Sequence, residues 1–217
     1  MLLFLYNRDM EKIRAYLFDM DGTLADSENY YITSTISCFR ERGIEKTFDE
    51  IRNALVGVTM DAAYDYVARV LSVDVEEGKR IYDDYYKRHP LYYKDYLFKE
   101  SLEVIRTLKE RGYKTALCTM NEQTSVDDFI SCGFEGLFDF TVSFNDGVRE
   151  KPYPDVYLKA MEALGVKPEE TVVVEDSVSG IKAGKASGAY VIGCNEADIG
   201  TDLSEADKVI DNLLELL

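Results

Sequence analysis

The stretch Leu17-Phe-Asp-Met-Asp-Gly-Thr-Leu-Ala-Asp26 sets two carboxylates, Asp19 and Asp21, at the end of a short apolar run. Strand residues two apart point to the same face, and Gly22 directly after Asp21 lets the backbone leave the strand in a tight turn. Both acids are therefore expected at the carboxyl end of a strand. In an open α/β sheet that edge is where ligands bind, because helix N-termini and loop amides converge there on anions. The stretch predicts an anion-handling site on a doubly wound parallel sheet.

Working outward, Ile13 to Asp19 is almost continuously apolar, as a strand covered on both faces must be. The pattern then turns helical. Ser27 is expected as an N-cap, with a helix from Glu28 to Arg42 stopped by Gly43. Thr47 to Leu55, Thr59 to Leu71 and Val75 to Lys87 predict further helices, so 27–97 is read as an inserted helical cap without a convincing strand. From Lys99 onward strand and helix signals alternate at short range, with strands expected at Lys114–Thr119, Phe140–Ser143, Thr171–Glu175, Tyr190–Gly193 and, as a last edge, Lys208–Ile210. The expected architecture is an α/β Rossmann-like core, 1–26 and 98–217, interrupted after its first strand by an all-helical cap, 27–97. An insertion beside Asp19 and Asp21 suits a lid.

Composition narrows the partners. The 217 residues carry a net charge of −16, a field that repels nucleic acid and anionic membrane surfaces, and no basic patch reverses it. An acidic chain that handles phosphorylated small molecules needs a metal cation and a few placed lysines to invert that field locally. Cys38, Cys118, Cys132 and Cys194 lack any C-x-x-C spacing, which fits a reducing cytoplasm. The apolar start Met1–Leu5 is too short for a signal-peptide core, and no run approaches the roughly 20 apolar residues of a membrane span. The first nine residues read as an extra strand or a loose tail. The expected partner is a small phosphorylated metabolite, with no nucleic acid and no membrane, and the expected state is a monomer.

Each strand end offers polar groups to one edge: Asp19 and Asp21, then Thr119 with the backbone amides of Met120 and Asn121, then Glu175 and Asp176 before the turn at Ser177. Lys151 comes from the connection before the helix at Pro154. That set suits phosphoryl transfer. A carboxylate can act as nucleophile, Mg²⁺ prefers a few carboxylate oxygens plus phosphate, and lysine, hydroxyl and amides stabilise the equatorial oxygens. Taken singly these residues have plain alternatives: a turn for Asp-x-Asp, a strand position for Thr119, a surface lysine for Lys151, a helix cap for Asp176 or Ser177. Their order and placement promote them.

Asp19-Met-Asp21-Gly22-Thr23, Thr119, Lys151-Pro152 and Glu175-Asp176-Ser177 resemble the four ordered motifs of the haloacid dehalogenase-like superfamily. The segments Lys151-Pro-Tyr-Pro-Asp155 and Val173-Val-Glu-Asp-Ser-Val-Ser-Gly180 are similar to the β-phosphoglucomutase and phosphoglycolate phosphatase branch, whose helical cap follows the first motif. The resemblance implies Asp19 as nucleophile and Asp21 as general acid and base. It implies Mg²⁺ held by Asp19, the Asp21 main-chain carbonyl and Asp176 with Glu175 nearby, and a phosphoryl group gripped by Thr119 and Lys151, with Gly22 and Thr23 in the same loop.

Departures from the relatives narrow the reaction. Dehalogenases and the phosphonate-cleaving branch lack the second acid, which is present here as Asp21, so phosphate-ester chemistry is favoured. The mutase branch carries a cap arginine and a histidine where this chain has Met60, within Gly57-Val-Thr-Met60, and Tyr31. Without that cap cation a bisphosphate is poorly held by both ends, which favours simple hydrolysis. The alternatives are a mutase-like phosphotransferase and a non-catalytic phospho-receiver domain. Tyr31, Val58, Thr59 and Met60 are the candidates for substrate choice in the cap. His89, the single histidine, lies at the end of a cap helix and is expected to serve that terminus.

Overall fold

Apolar runs that are continuous rather than alternating form the inner strands of one parallel sheet. In the computed structural model, which describes residues 12–56 and 58–217, six strands line up in the order β3-β2-β1-β4-β5-β6. They are β1 (Ala15–Phe18), β2 (Lys114–Cys118), β3 (Phe140–Val142), β4 (Thr171–Glu175), β5 (Tyr190–Cys194) and β6 (Lys208–Ile210). Every pairing is parallel, with Leu17 beside Ala116 on one side and Val173 on the other. β1 is thus central, and the chain builds outward from it first toward β3 and then toward β6. The strand order reverses beside β1, and at such a reversal the loops leaving neighbouring strands diverge and open a crevice.

Of the described residues, those up to Asp26 together with Tyr93–Leu217 form one compact unit, and Ser27–Tyr92 form another. Tyr93–Leu97, read from sequence with the helical segment, falls in the α/β unit. There the Tyr96 carbonyl accepts from the Asp26 amide at 2.7 Å and Leu97 bridges to Ala25.

The helical unit holds α1 (Ser27–Arg40), α2 (Phe48–Leu55), α3 (Met60–Leu71) and α4 (Val75–Arg88). Its starts follow local chemistry. Thr47 and Glu50 make a reciprocal capping box, and the Thr59 and Asp74 side chains accept from the Ala62 and Glu77 amides. Ser27, expected as an N-cap, is instead the first helical residue and fully buried, and its Oγ has no hydrogen-bond partner among the described residues. Ile32, Phe39, Ile51, Val67 and Tyr82 form the unit's own apolar centre. Tyr31, Val58 and Met60 are exposed, and Thr59 is engaged as the cap of α3. Gly57 lies outside the described residues. His89 is the C-cap of α4, stacked on Tyr85 and 3.7 Å from Glu41.

In the α/β unit, α5 (Ser101–Glu110), α6 (Gln123–Ile130), α7 (Asp155–Leu164) and α8 (Val178–Ser187) connect successive strands. Leu17, Ala116, Val142, Tyr157, Met161, Val173, Ile181 and Val191 are packed in one apolar core. No described helix is long and apolar enough to cross a membrane.

Candidate active site

Strand ends carry most of the candidate side chains because the sheet pins their backbones. The Asp19 amide donates to the Val174 carbonyl at 3.0 Å and the Thr119 amide to the Val142 carbonyl at 3.0 Å, so both residues stand at the same edge. Gly22 adopts φ +76°, a conformation that strains any residue with a Cβ. A Cβ at Gly22 would also lie 2.0 Å from Asp176 Oδ2. The turn after Asp21 therefore exists in this form only with glycine, and it lets the β1 loop and the β4 loop touch. Thr23, fully buried, donates from Oγ1 to Asp176 Oδ1 at 3.1 Å and aims that carboxylate.

Asp19, Glu175 and Asp176 are all buried and offer carboxylate oxygens within 4.8 Å of one another. Such a concentration of negative charge away from water needs cations. One is supplied by the chain: Lys151 Nζ donates to Asp19 Oδ1, to Glu175 Oε1 at 2.6 Å and to the Cys118 carbonyl at 3.2 Å. A lysine has three protons, and all three are used. Burial works against the Lys151 charge, but Asp19 and Glu175 on either side outweigh it and hold the ammonium above its ordinary pKa. Burial pushes the Asp19 carboxyl well above the usual carboxylate range, against the pull of Lys151 and with Glu175 and Asp21 adding to the rise. Glu175 is also penalised by burial, yet Lys151 leaves it lowered. Three acids against one lysine leave a negative excess, and the hard oxygen donors of Asp19 and Asp176 suit a divalent cation such as Mg²⁺.

Glu175 is engaged on both oxygens. Oε1 accepts from Lys151 and from the Tyr157 hydroxyl at 2.7 Å; Oε2 accepts from the amides of Asp176 and Ser177, each at 3.1 Å, and from Ser177 Oγ at 2.9 Å. Tyr157, a fully buried residue of α7, is a partner that reading the sequence misses. The signal available is a tyrosine at an apolar helical position, whose hydroxyl must find a partner once buried. Gly180, in the first turn of α8, is missed in the same way. A Cβ there would fall 1.8 Å from Glu175 Oε1 and 2.1 Å from Oε2, in the middle of the carboxylate. An alanine in place of a helical glycine ordinarily stabilises by about 1 kcal/mol. Here the sign reverses: Gly180→Ala is expected to cost roughly 1–3 kcal/mol, lowering Tm by about 3–10 °C in thermal denaturation.

The loop after β2 is used differently from the sequence expectation. The Asn121 amide, expected to face phosphate, donates to Thr119 Oγ1 at 3.1 Å, and the Asn121 side chain donates through Nδ2 to Asp21 Oδ2. Met120 is half-buried beside the buried Thr119. Thus the α/β unit brings together Asp19, Asp21, Thr23, Thr119, Asn121, Lys151, Glu175 and Asp176. Tyr31, Val58, Thr59 and Met60 belong to the helical unit.

Residues 16–194 match the sequence profile of the family described as Haloacid dehalogenase-like hydrolase. A phosphorylated carbohydrates phosphatase from Thermotoga maritima is 30% identical over 188 residues, 81% of this chain and 82% of that one. Protein SUPPRESSOR OF QUENCHING 1, chloroplastic, from Arabidopsis thaliana is 30% identical over 207 residues; the match takes in 91% of this chain but 19% of the plant protein. Among solved structures, a HAD family hydrolase from Deinococcus radiodurans R1, with bound phosphate and sodium, superposes with a TM-score of 0.77 at 26% identity, covering 94% of this chain and 93% of that one. With most of its length inside the family profile and the strand-end acids in their expected order, this chain belongs to the haloacid dehalogenase-like hydrolases.

Proposed function

We propose that the chain is a Mg²⁺-dependent phosphatase that hydrolyses small phosphomonoesters, of the sugar phosphate or phosphoglycolate kind, through an aspartyl-phosphate. The observation that carries this reading is the Lys151 side chain, 8% exposed and held between Asp19 and Glu175, with Asp21 two residues along the chain from Asp19. Asp19 attacks phosphorus: a new O–P bond forms on its carboxylate while the ester O–P bond breaks, and Asp21 gives its proton to the departing oxygen. Asp21, now ionised, takes a proton from water, whose oxygen attacks the aspartyl-phosphate and releases phosphate and the Asp19 carboxylate. Lys151 offsets charge on the phosphoryl oxygens, and Thr119 stands at the same strand edge to bind them. Asp19, Asp176 and the Asp21 main-chain carbonyl would hold Mg²⁺, with Glu175 bracing Lys151. When bound, the ion offsets the negative charge shared by these acids and the phosphate.

The test is phosphate release from a panel of sugar phosphates, phosphoglycolate and nucleoside monophosphates, with Mg²⁺ and with a chelator. Release that requires Mg²⁺ is the expected result. Isomerisation of glucose 1-phosphate without release would make the chain a mutase. An aspartyl-phosphate lasting minutes would make it a phospho-receiver.

A further inference from the structure

We infer that Tyr93 and Asn121 are positioning residues that clamp the Asp21 carboxyl in the orientation from which it exchanges its proton. This rests on the phosphatase reading above, and it assigns a task to two side chains that the motif residues do not include. Tyr93 donates from its hydroxyl to Asp21 Oδ1 at 3.1 Å, and Asn121 donates from Nδ2 to Oδ2, so each carboxyl oxygen has its own donor. Asn121 Nδ2 also donates to the Tyr93 hydroxyl at 3.2 Å, closing a triangle. A hydroxyl that accepts one hydrogen bond while donating another is polarised by it, which strengthens the contact with Asp21.

Both donors are themselves held. The Tyr93 ring is buried and meets Phe129 edge-on at 5.6 Å and 90°; Phe129 in turn stacks on Phe134 at 4.5 Å. Asn121 is fixed by its amide on Thr119 and by its carbonyl, which accepts from the Phe144 amide at 2.9 Å. Asp21 is half-buried and sits in a turn whose Gly22 amide donates to the Ala25 carbonyl at 2.7 Å. Its backbone is therefore set by the turn, while the plane of its carboxyl is set by the clamp. A general acid must reach the leaving oxygen along one direction, and a carboxyl free to rotate spends little time there. Tyr93 comes from the segment where the chain returns to the α/β unit, so neither the first motif nor the second contains it.

The test uses two probes of similar shape, phenyl phosphate and p-nitrophenyl phosphate. The phenolate leaving group needs a proton; the p-nitrophenolate needs little. Tyr93→Phe keeps the ring and removes the hydroxyl. It is expected to lower kcat/KM about tenfold for phenyl phosphate and less than about twofold for p-nitrophenyl phosphate, a split that a general loosening of the site would not produce. Asn121→Ser leaves the aromatic stack intact and should split the two probes in the same sense, which keeps the test decisive if Tyr93→Phe folds poorly. In an Asp21→Asn background, Tyr93→Phe should cause no further loss, because a residue that acts through another adds nothing once that other is gone. Equal losses on both probes, no loss on either, or a further loss of about tenfold in the Asp21→Asn background would overturn the clamp. If the wild type releases phosphate from neither probe, or if Asp19→Asn keeps activity, the phosphatase reading fails first and the clamp falls with it.

Discussion

Asp19→Asn is expected to lower kcat by on the order of 10⁴-fold or more while the protein stays folded. An amide has nearly the shape of the carboxylate but is a poor nucleophile, so the covalent step is lost rather than slowed. Its effect on stability is the unusual part. Burial raises the Asp19 pKa to about 8 in the metal-free protein. Between its usual value near 4 and about 8 the native state therefore holds a proton that the unfolded chain has released, and stability falls as pH rises through that window. The neutral amide of the variant carries no such cost. Without metal, the Tm of Asp19→Asn should rise relative to the wild type as pH goes from about 5 to about 8, as thermal denaturation across that range would show. Retained Mg²⁺-dependent turnover would remove Asp19 as the nucleophile.

Lys151→Met is expected to be the most destabilising single change in the site. The Lys151 side chain is 8% exposed, and it is the cation shared by Asp19 and Glu175, whose side chains are 12% and 0% exposed. Removing Lys151 takes away the cation that keeps the buried Glu175 carboxyl lowered and leaves that charge uncompensated, at about 3–5 kcal/mol, or about 6–20 °C in Tm for a chain of this size. The pH dependence gives the cause. Without Lys151 both carboxyls move upward, the native state binds more protons than the unfolded chain, and stability falls with rising pH. The loss should be mild near about pH 5, where a carboxyl can take up a proton, and largest near about pH 8. A loss independent of pH would assign Lys151 to packing instead. Phosphate release should fall with it even where the variant is folded, since the charge on the phosphoryl oxygens loses its lysine.

Helices and strands are legible wherever a residue pattern has one physical solution. The strand Thr171–Glu175 and the helix Val178–Ser187 follow from a continuous apolar run and from Ser177, whose Oγ caps the Gly180 amide at 3.0 Å. The first strand is shorter than the apolar run suggests, Ala15–Phe18 rather than Ile13–Asp19, though the Asp19 amide still bonds to the sheet. Local signals overreach at Ser27, because capping depends on the direction from which the chain enters the helix, and a side chain cannot announce that in advance.

The order of Asp19, Asp21, Thr119, Lys151, Glu175 and Asp176 along the chain was enough to determine that they share one sheet edge, since alternating strands and helices return every strand's carboxyl end to the same side. What the tertiary structure alone decided is which atom meets which. Glu175 gathers donors on both of its oxygens, Asn121 turns its side chain to Asp21, Tyr157 braces Glu175, and Gly22 and Gly180 leave room for the carboxylates of Asp176 and Glu175. Most of these contacts join residues far apart in sequence, and each depends on the packing of an element that carries no polar signature of its own. Periodicity and motif spacing report where a backbone goes; the partner of a buried polar atom is settled only when separate elements close on it and water is gone.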